Sequence, residues 1–276
     1  MPPVIDAHHH LWQYSEEEYG WIDDTMVKIR RDFLPADLAR VMEESGVDGA
    51  VAVQARQTLE ETQWLLDLAD ATDKIVGVVG WAPLASPDFA ETMQRFAGRG
   101  KLRGLRHVLQ GEPAGYMLGA AFNEGVSQLK AMGLTYDVLV YERQLDEAIA
   151  FVDRHPEQPF VLDHVAKPLI RDGVLEPWAT KIQELARREN VWCKVSGMVT
   201  EADWNSWTAE SLRPYLDVVT EAFGPYRLMT GSDWPVCLVA SGYGQWFGVL
   251  RDYFSRFSPQ EQDAIFGATA IKFYGL

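Results

Sequence analysis

Residues 4–10 read Val4-Ile5-Asp6-Ala7-His8-His9-His10, a short apolar run that breaks off into a polar cluster. The same arrangement recurs along the chain. Runs rich in Val, Leu and Ile occupy 4–8, 49–54, 75–81, 102–107, 134–140, 160–164, 191–196 and 227–233, mostly without strict apolar/polar alternation. Strict alternation marks a sheet with one wet face, so its absence, with helix-period segments in between, predicts parallel strands covered by helices. Strand and helix alternating about eight times predict an α/β fold closed into a (β/α)8 TIM barrel rather than left as an open sheet. The 276 residues suit one such barrel, which typically takes ~250, so 1–276 is expected to be a single domain. No Gly-rich phosphate fingerprint follows the first run, which argues against a dinucleotide-binding open sheet.

The intervening segments carry helix signals. Ser86-Pro87 offers an N-cap and an N1 proline before Phe89, Met93 and Phe96; Leu145, Ile149 and Val152 repeat at helical spacing, as do Ile182, Leu185 and Ala186. Ser258-Pro259-Gln260-Glu261 is a capping-box pattern opening a last helix with Ile265, Phe266 and Ile271, while Gly46 and Gly133 sit where helices should stop. The stretch 11–40 is long for one connection. Trp12, Tyr14, Tyr19 and Trp21 make it aromatic, so it is expected to form a loop after strand 1 that folds over the C-terminal mouth of the barrel.

A formal net charge of -15 and 47% hydrophobic residues describe an acidic globular chain that repels phosphate backbones. Arg30-Arg31 and Arg187-Arg188 read as solvated faces rather than a polyanion stripe. Cys193 and Cys237 supply no disulfide framework and are expected to be small buried residues. There is no export signal and no apolar run long enough to span a bilayer. The expectation is a cytoplasmic protein with a small-molecule ligand and neither nucleic-acid nor membrane partners. No feature of the sequence specifies an oligomeric state.

In such a barrel the functional side chains sit where strands end. The polar residues fall there: Asp6 to His10, Gln54 and Arg56, Trp81, Arg106 and His107, Tyr136 and Asp137, Asp163 and His164, Lys194, and Gly231-Ser232-Asp233-Trp234-Pro235. Along an extended segment His8 and His10 share one side and His9 faces the other, so two imidazoles can share one ion. In a closed barrel the last strand neighbours the first, which brings Asp233 to them. Singly, adjacent histidines are a core or surface accident, and Asp233 is a turn carboxylate before Pro235. Four of the 6 histidines (His8, His10, His107, His164) fall at strand ends, however, and this favours a site. His155, before Pro156, is expected only to end a helix.

Asp6-Ala7-His8-His9-His10 resembles the D-x-H-x-H opening motif of the amidohydrolase superfamily, and Gly231-Ser232-Asp233-Trp234-Pro235 resembles its closing motif. Val53-Gln54-Ala55-Arg56, Leu102-Arg103-Gly104-Leu105-Arg106-His107, Tyr136-Asp137-Val138-Leu139, Leu162-Asp163-His164-Val165-Ala166-Lys167-Pro168 and Cys193-Lys194-Val195-Ser196-Gly197 are similar to the sugar-lactonase branch, typified by L-fucono- and L-rhamnonolactonases. The resemblance implies a site for one divalent cation, usually zinc (Zn2+), on His8, His10 and Asp233, with His164 close by. Binuclear members use a bridging Lys or Glu on the fourth strand and a His on the fifth; His107 and Asp137 stand there in this chain, so one ion is expected.

The implied reaction is hydrolysis of an aldonolactone, with Asp233 taking a proton from the attacking water. In a metal-free version His8, His10, His107 and His164 serve as oxyanion donors. Gln54, Arg56, Arg106, Tyr136 and Lys194 are candidates for binding ring hydroxyls, and Trp12, Trp81 and Trp234 for apolar platforms. Against these, Lys194 could be neutralised by buried Asp137 or Asp163, and Arg106 could lie over the rim. Decarboxylation, lactone isomerisation and a non-catalytic binding barrel are the competing readings.

Overall fold

Eight parallel strands follow one another around the sheet in chain order: β1 (Ile5–His9), β2 (Gly49–Val53), β3 (Ile75–Gly80), β4 (Leu102–His107), β5 (Thr135–Val138), β6 (Phe160–Leu162), β7 (Val191–Val195) and β8 (Leu228–Thr230). This computed structural model describes residues 2–276. Helices α1 (Pro35–Ser45), α2 (Leu59–Asp70), α3 (Phe89–Met93), α4 (Ala120–Ser127), α5 (Leu145–Asp153), α6 (Trp178–Leu185), α7 (Ala209–Phe223) and α8 (Tyr243–Phe254) cover the outside, and α9 (Pro259–Asp263) and α10 (Thr269–Tyr274) end the chain. Beyond β8, Asp233 N donates to His8 O at 2.8 Å and His10 N to Trp234 O at 2.6 Å, so the barrel closes through the motif segments themselves.

Each strand is buried on both faces, which explains the missing alternation. Val51, Val53, Val79, Val161 and Met229 form the inner core, plugged from below by Phe273 and Tyr274 of α10. The other face packs on the helices through residues such as Ala50, Val78, Leu105 and Leu162. Among the described residues no helix is long and apolar enough to cross a membrane. Cys193 and Cys237 are free and buried.

Local signals held unevenly. Gly46 caps α1 in the left-handed conformation at φ 62°, and Ser258 with Glu261 forms the capping box of α9. Ser86 does not cap a helix: α3 starts at Phe89 after Asp88, and the Ser86 hydroxyl accepts the Asp88 N–H at 3.2 Å, closing a turn instead. The sixth and eighth strands stop short of the expected 164 and 233. His164 (φ 51°) and Asp233 (φ 56°) both leave the extended region, which ends the ladder and turns their side chains into the mouth.

Candidate active site

The register between β1 and β2 slips between Asp6, opposite Ala50, and His9, opposite Ala52. This bulge decouples Asp6 from the histidines. Asp6 turns outward to Ser232 and to Tyr243 of α8, whereas His8 turns inward to Asp163 and Lys194. His8 and His10 face each other as the alternation requires, with Nε2 atoms 3.2 Å apart. His9 is buried without a partner for either ring nitrogen, and burial pushes it down to about 3, so it packs as a neutral ring.

His10 Nδ1 lies 2.8 Å from the Val53 carbonyl, which only accepts, so Nδ1 carries the proton and Nε2 presents a bare lone pair. That lone pair faces Asp233 Oδ1 at 3.4 Å, and His8 Nε2 lies 3.9 Å from the same oxygen. Three electron-rich atoms aimed at one point call for a proton or a cation between them. A tetrahedral ion with bonds of about 2.0–2.1 Å needs ligand atoms roughly 3.3–3.4 Å apart. The separations of 3.2, 3.4 and 3.9 Å fit one such ion with little movement. His8 Nδ1 lies 3.4 Å from the Asp163 carboxylate, the outer partner that orients a ligating imidazole.

Asp233 and His164 complete the group from the opposite wall. His164 Nε2 lies 3.8 Å from Asp233 Oδ1, its Nδ1 pairs with the Ser196 hydroxyl at 2.8 Å, and its ring stands edge-on to His8 at 4.3 Å. Burial holds His164 down to about 4, so the ring is neutral near pH 7. Burial alone would raise Asp233, but His164, His10 and Lys167 outweigh it and hold the carboxyl below its ordinary value. The backbone here is unusual: His164, Val165, Ala166 and Lys167 all have positive φ, each at roughly 1–2 kcal/mol for a residue with a Cβ. Gly197, at φ 63°, makes room for the ring, because a Cβ there would lie 2.6 Å from His164 Cγ.

A layer of buried charge lies beneath. Lys194 Nζ donates to Asp137 Oδ2 at 2.5 Å and lies 3.0 Å from Asp163 Oδ1 and 3.1 Å from His8 Nδ1, while Tyr274 donates to Asp137 at 2.9 Å. Lys194 is fully buried, so the expectation that it binds substrate gives way to the structural pair with Asp137 and Asp163. Arg106 Nη1 donates to Asp163 at 3.0 Å and Nη2 to the Gln54 carbonyl. Burial raises Asp163, but Lys194, His8 and Arg106 reverse this and keep it ionised.

Above these groups opens a cavity of ≈ 500 Å³ lined by His10, His164, Asp233 and Arg106 and, nearer its rim, by Trp21, Met26, Gln110, Tyr141, Lys167 and Glu201. Sequence reading assigned no role to the last four. Lys167 stands inside the Leu162-to-Pro168 motif, three residues after His164, which was a usable signal; Glu201 lies in the long loop after β7 and had none.

Other expected residues lie elsewhere. His107 does not line the Asp233 cavity: its Nδ1 accepts from Trp81 Nε1 at 3.2 Å and its Nε2 donates to Glu112 at 2.7 Å, so both nitrogens and the Trp81 donor are occupied. Arg56 reaches Glu18 of the 11–40 loop and lies over the Tyr19 ring. Gln54 braces the Arg106 backbone at 3.2 Å. Tyr136 faces the helices among Phe122, Phe151 and Phe160, because its neighbour Asp137 takes the inward position on β5. Trp234 packs on Phe33 at 5.1 Å and Trp12 on Tyr19 at 5.6 Å, both in the core rather than at the cavity.

The amidohydrolase family profile matches residues 5–276. An L-fucono-1,5-lactonase of Burkholderia multivorans is 42% identical, covering 99% of this chain and 96% of its own. A second L-fucono-1,5-lactonase, from Burkholderia ambifaria, is 37% identical over 98% of this chain and 94% of its own. The crystal structure of an amidohydrolase from Burkholderia multivorans with bound zinc superposes with a TM-score of 0.96 at 42% identity, covering 99% of each chain.

Proposed function

This chain belongs to the amidohydrolase family, and from that premise we propose that it hydrolyses a sugar lactone, most simply an L-fucono-1,5-lactone, to the aldonic acid. The convergence of His8, His10 and His164 on Asp233 Oδ1 at the floor of the cavity carries this reading. The similarity to two L-fucono-1,5-lactonases supports the substrate class.

Asp233 is the general base. With its carboxyl held below the ordinary value, it takes a proton from the water that attacks the lactone carbonyl. When the ring C–O bond breaks, Asp233 returns that proton to the departing ring oxygen, which leaves as a hydroxyl. The new carboxylic acid then ionises and releases one proton to solvent. His164 Nε2 faces the same space and donates to the carbonyl oxygen as negative charge builds there, with the Ser196 hydroxyl donating to Nδ1 to fix that tautomer. A zinc ion on His8, His10 and Asp233 would polarise the carbonyl and lower the pKa of the attacking water. Asp163 orients His8 and the Val53 carbonyl orients His10. His107, Arg56 and Gln54 act as braces of the surrounding loops rather than as groups that touch substrate.

The test is a panel of aldonolactones assayed with a pH indicator. Hydrolysis acidifies the medium by one proton per turnover, decarboxylation consumes a proton, and isomerisation leaves the pH unchanged. Acidification that collapses in Asp233→Asn, with the circular dichroism spectrum retained, is the expected result; near wild-type turnover by that variant ends the mechanism.

A further inference from the structure

The cavity rim holds one cation and one carboxylate that face each other in a long ion pair. Lys167 Nζ lies 3.8 Å from Glu201 Oε1, beyond hydrogen-bond distance, and 5.4 Å from the centre of the Tyr141 ring. The other cation of the cavity, Arg106, has Nη1 and Nη2 committed to Asp163 and Gln54. Lys167 is also tied rigidly to the reacting groups: its N–H donates to the His164 carbonyl at 2.8 Å across the left-handed turn, so the spacing between His164 and the base of the lysine is set by backbone. Glu201 is largely shielded from water on the same rim, and burial raises its carboxyl although Lys167 pulls it down. Paired at 3.8 Å, too far for a hydrogen bond, the two groups each keep hydrogen-bonding capacity for a ligand.

We infer that Lys167 and Glu201 are the specificity-determining pair, the ammonium donating to one ring hydroxyl of the substrate and the carboxylate accepting from its neighbour. This inference rests on the lactonase reading. It places recognition on the loops after β6 and β7, and the substrate class it selects is a lactone with adjacent free hydroxyls.

The experiment crosses residue deletion with hydroxyl deletion. kcat/KM is measured for wild type, Lys167→Met and Glu201→Gln on the sugar lactone and on its monodeoxy analogues. A hydrogen bond to a charged group is worth roughly tenfold to a hundredfold in kcat/KM. The expected result is that at least one deoxygenation costs the wild type about that much and costs the cognate variant little, the non-additivity that marks a direct contact. Both side chains sit at the rim, and Lys167→Met adds no backbone strain beyond that already present; Lys167→Gln and Glu201→Ala supply second variants should either fold poorly. Additive losses for every analogue in all variants, with the wild type active, overturn the pair while leaving lactone hydrolysis standing. A wild type inert on every lactone overturns the lactonase reading and the pair with it.

Discussion

Ser232 donates to the Asp6 carboxylate twice, through its backbone N–H at 2.8 Å and its hydroxyl at 2.6 Å, although the two residues are 226 apart in sequence. Tyr243 adds a third donor at 3.0 Å and the His8 N–H a fourth at 3.1 Å. This clamp joins the two ends of the barrel one residue before Asp233 and two before His8. The acid of the opening motif is therefore a positioning residue, turned away from the cavity by the β1 bulge.

Asp6→Ala strips four buried donors of their acceptor, and each unsatisfied group costs about 1–3 kcal/mol. Urea unfolding should show a loss of roughly 4 kcal/mol or more, with Ser232→Ala losing less because the backbone N–H contact survives. Unchanged stability in Asp6→Ala would show that the clamp is ornamental.

Gly197→Ala puts a methyl 2.6 Å from the His164 ring on a backbone at φ 63°. The expected outcome is a stability loss of about 1–3 kcal/mol and a fall in kcat of more than about tenfold as His164 is pushed from Asp233. A crystal structure of the variant with His164 unmoved and full activity would contradict the role given to that ring.

Glu61, in the first turn of α2, accepts the N–H groups of Ala55 at 3.1 Å and Arg56 at 2.7 Å, and burial pushes it up from 4.5 to about 7. The folded protein thus holds this proton more tightly than the unfolded chain. Its contribution to stability is complete below pH 4.5 and is lost as pH rises through about 7. Relative to wild type, Glu61→Gln should gain roughly 2–3 kcal/mol between pH 5 and pH 8. A difference that stays flat across that interval would show that Glu61 is not protonated in the fold.

Zinc at about 100 times its Kd should raise the unfolding free energy by about 2.7 kcal/mol, read as a shift in Tm. His10→Gln and Asp233→Asn should each abolish the shift and lower the bound metal measured by elemental analysis. Equal shifts in wild type and both variants would move the ion away from this donor set.

The period of the sequence was enough for the barrel because strands buried on both faces and amphipathic helices leave signals within a few residues of each other. The strand ends at His8, His10, Arg106, His164 and Asp233 were legible for the same reason: in a parallel barrel those ends share one face. Tyr136 and Lys194 were not, since a two-sided apolar strand does not announce which face a polar neighbour takes, and the four residues of β5 or the five of β7 read equally well in either phase. That both nitrogens of His107 meet Trp81 and Glu112 was not legible either, because a strand end can also supply a loop brace.

What the sequence determined on its own was the order and polarity of the elements and the chemical types gathered at their ends, because these depend on local period and composition. Tertiary structure alone decided which of those side chains meet. The slip in β1, the left-handed backbone at His164 and Asp233, and the docking of Lys167 against Glu201 all arise from contacts between segments far apart in the chain. Their energies come from burial and pairing across the closed barrel, which no window of neighbouring residues contains.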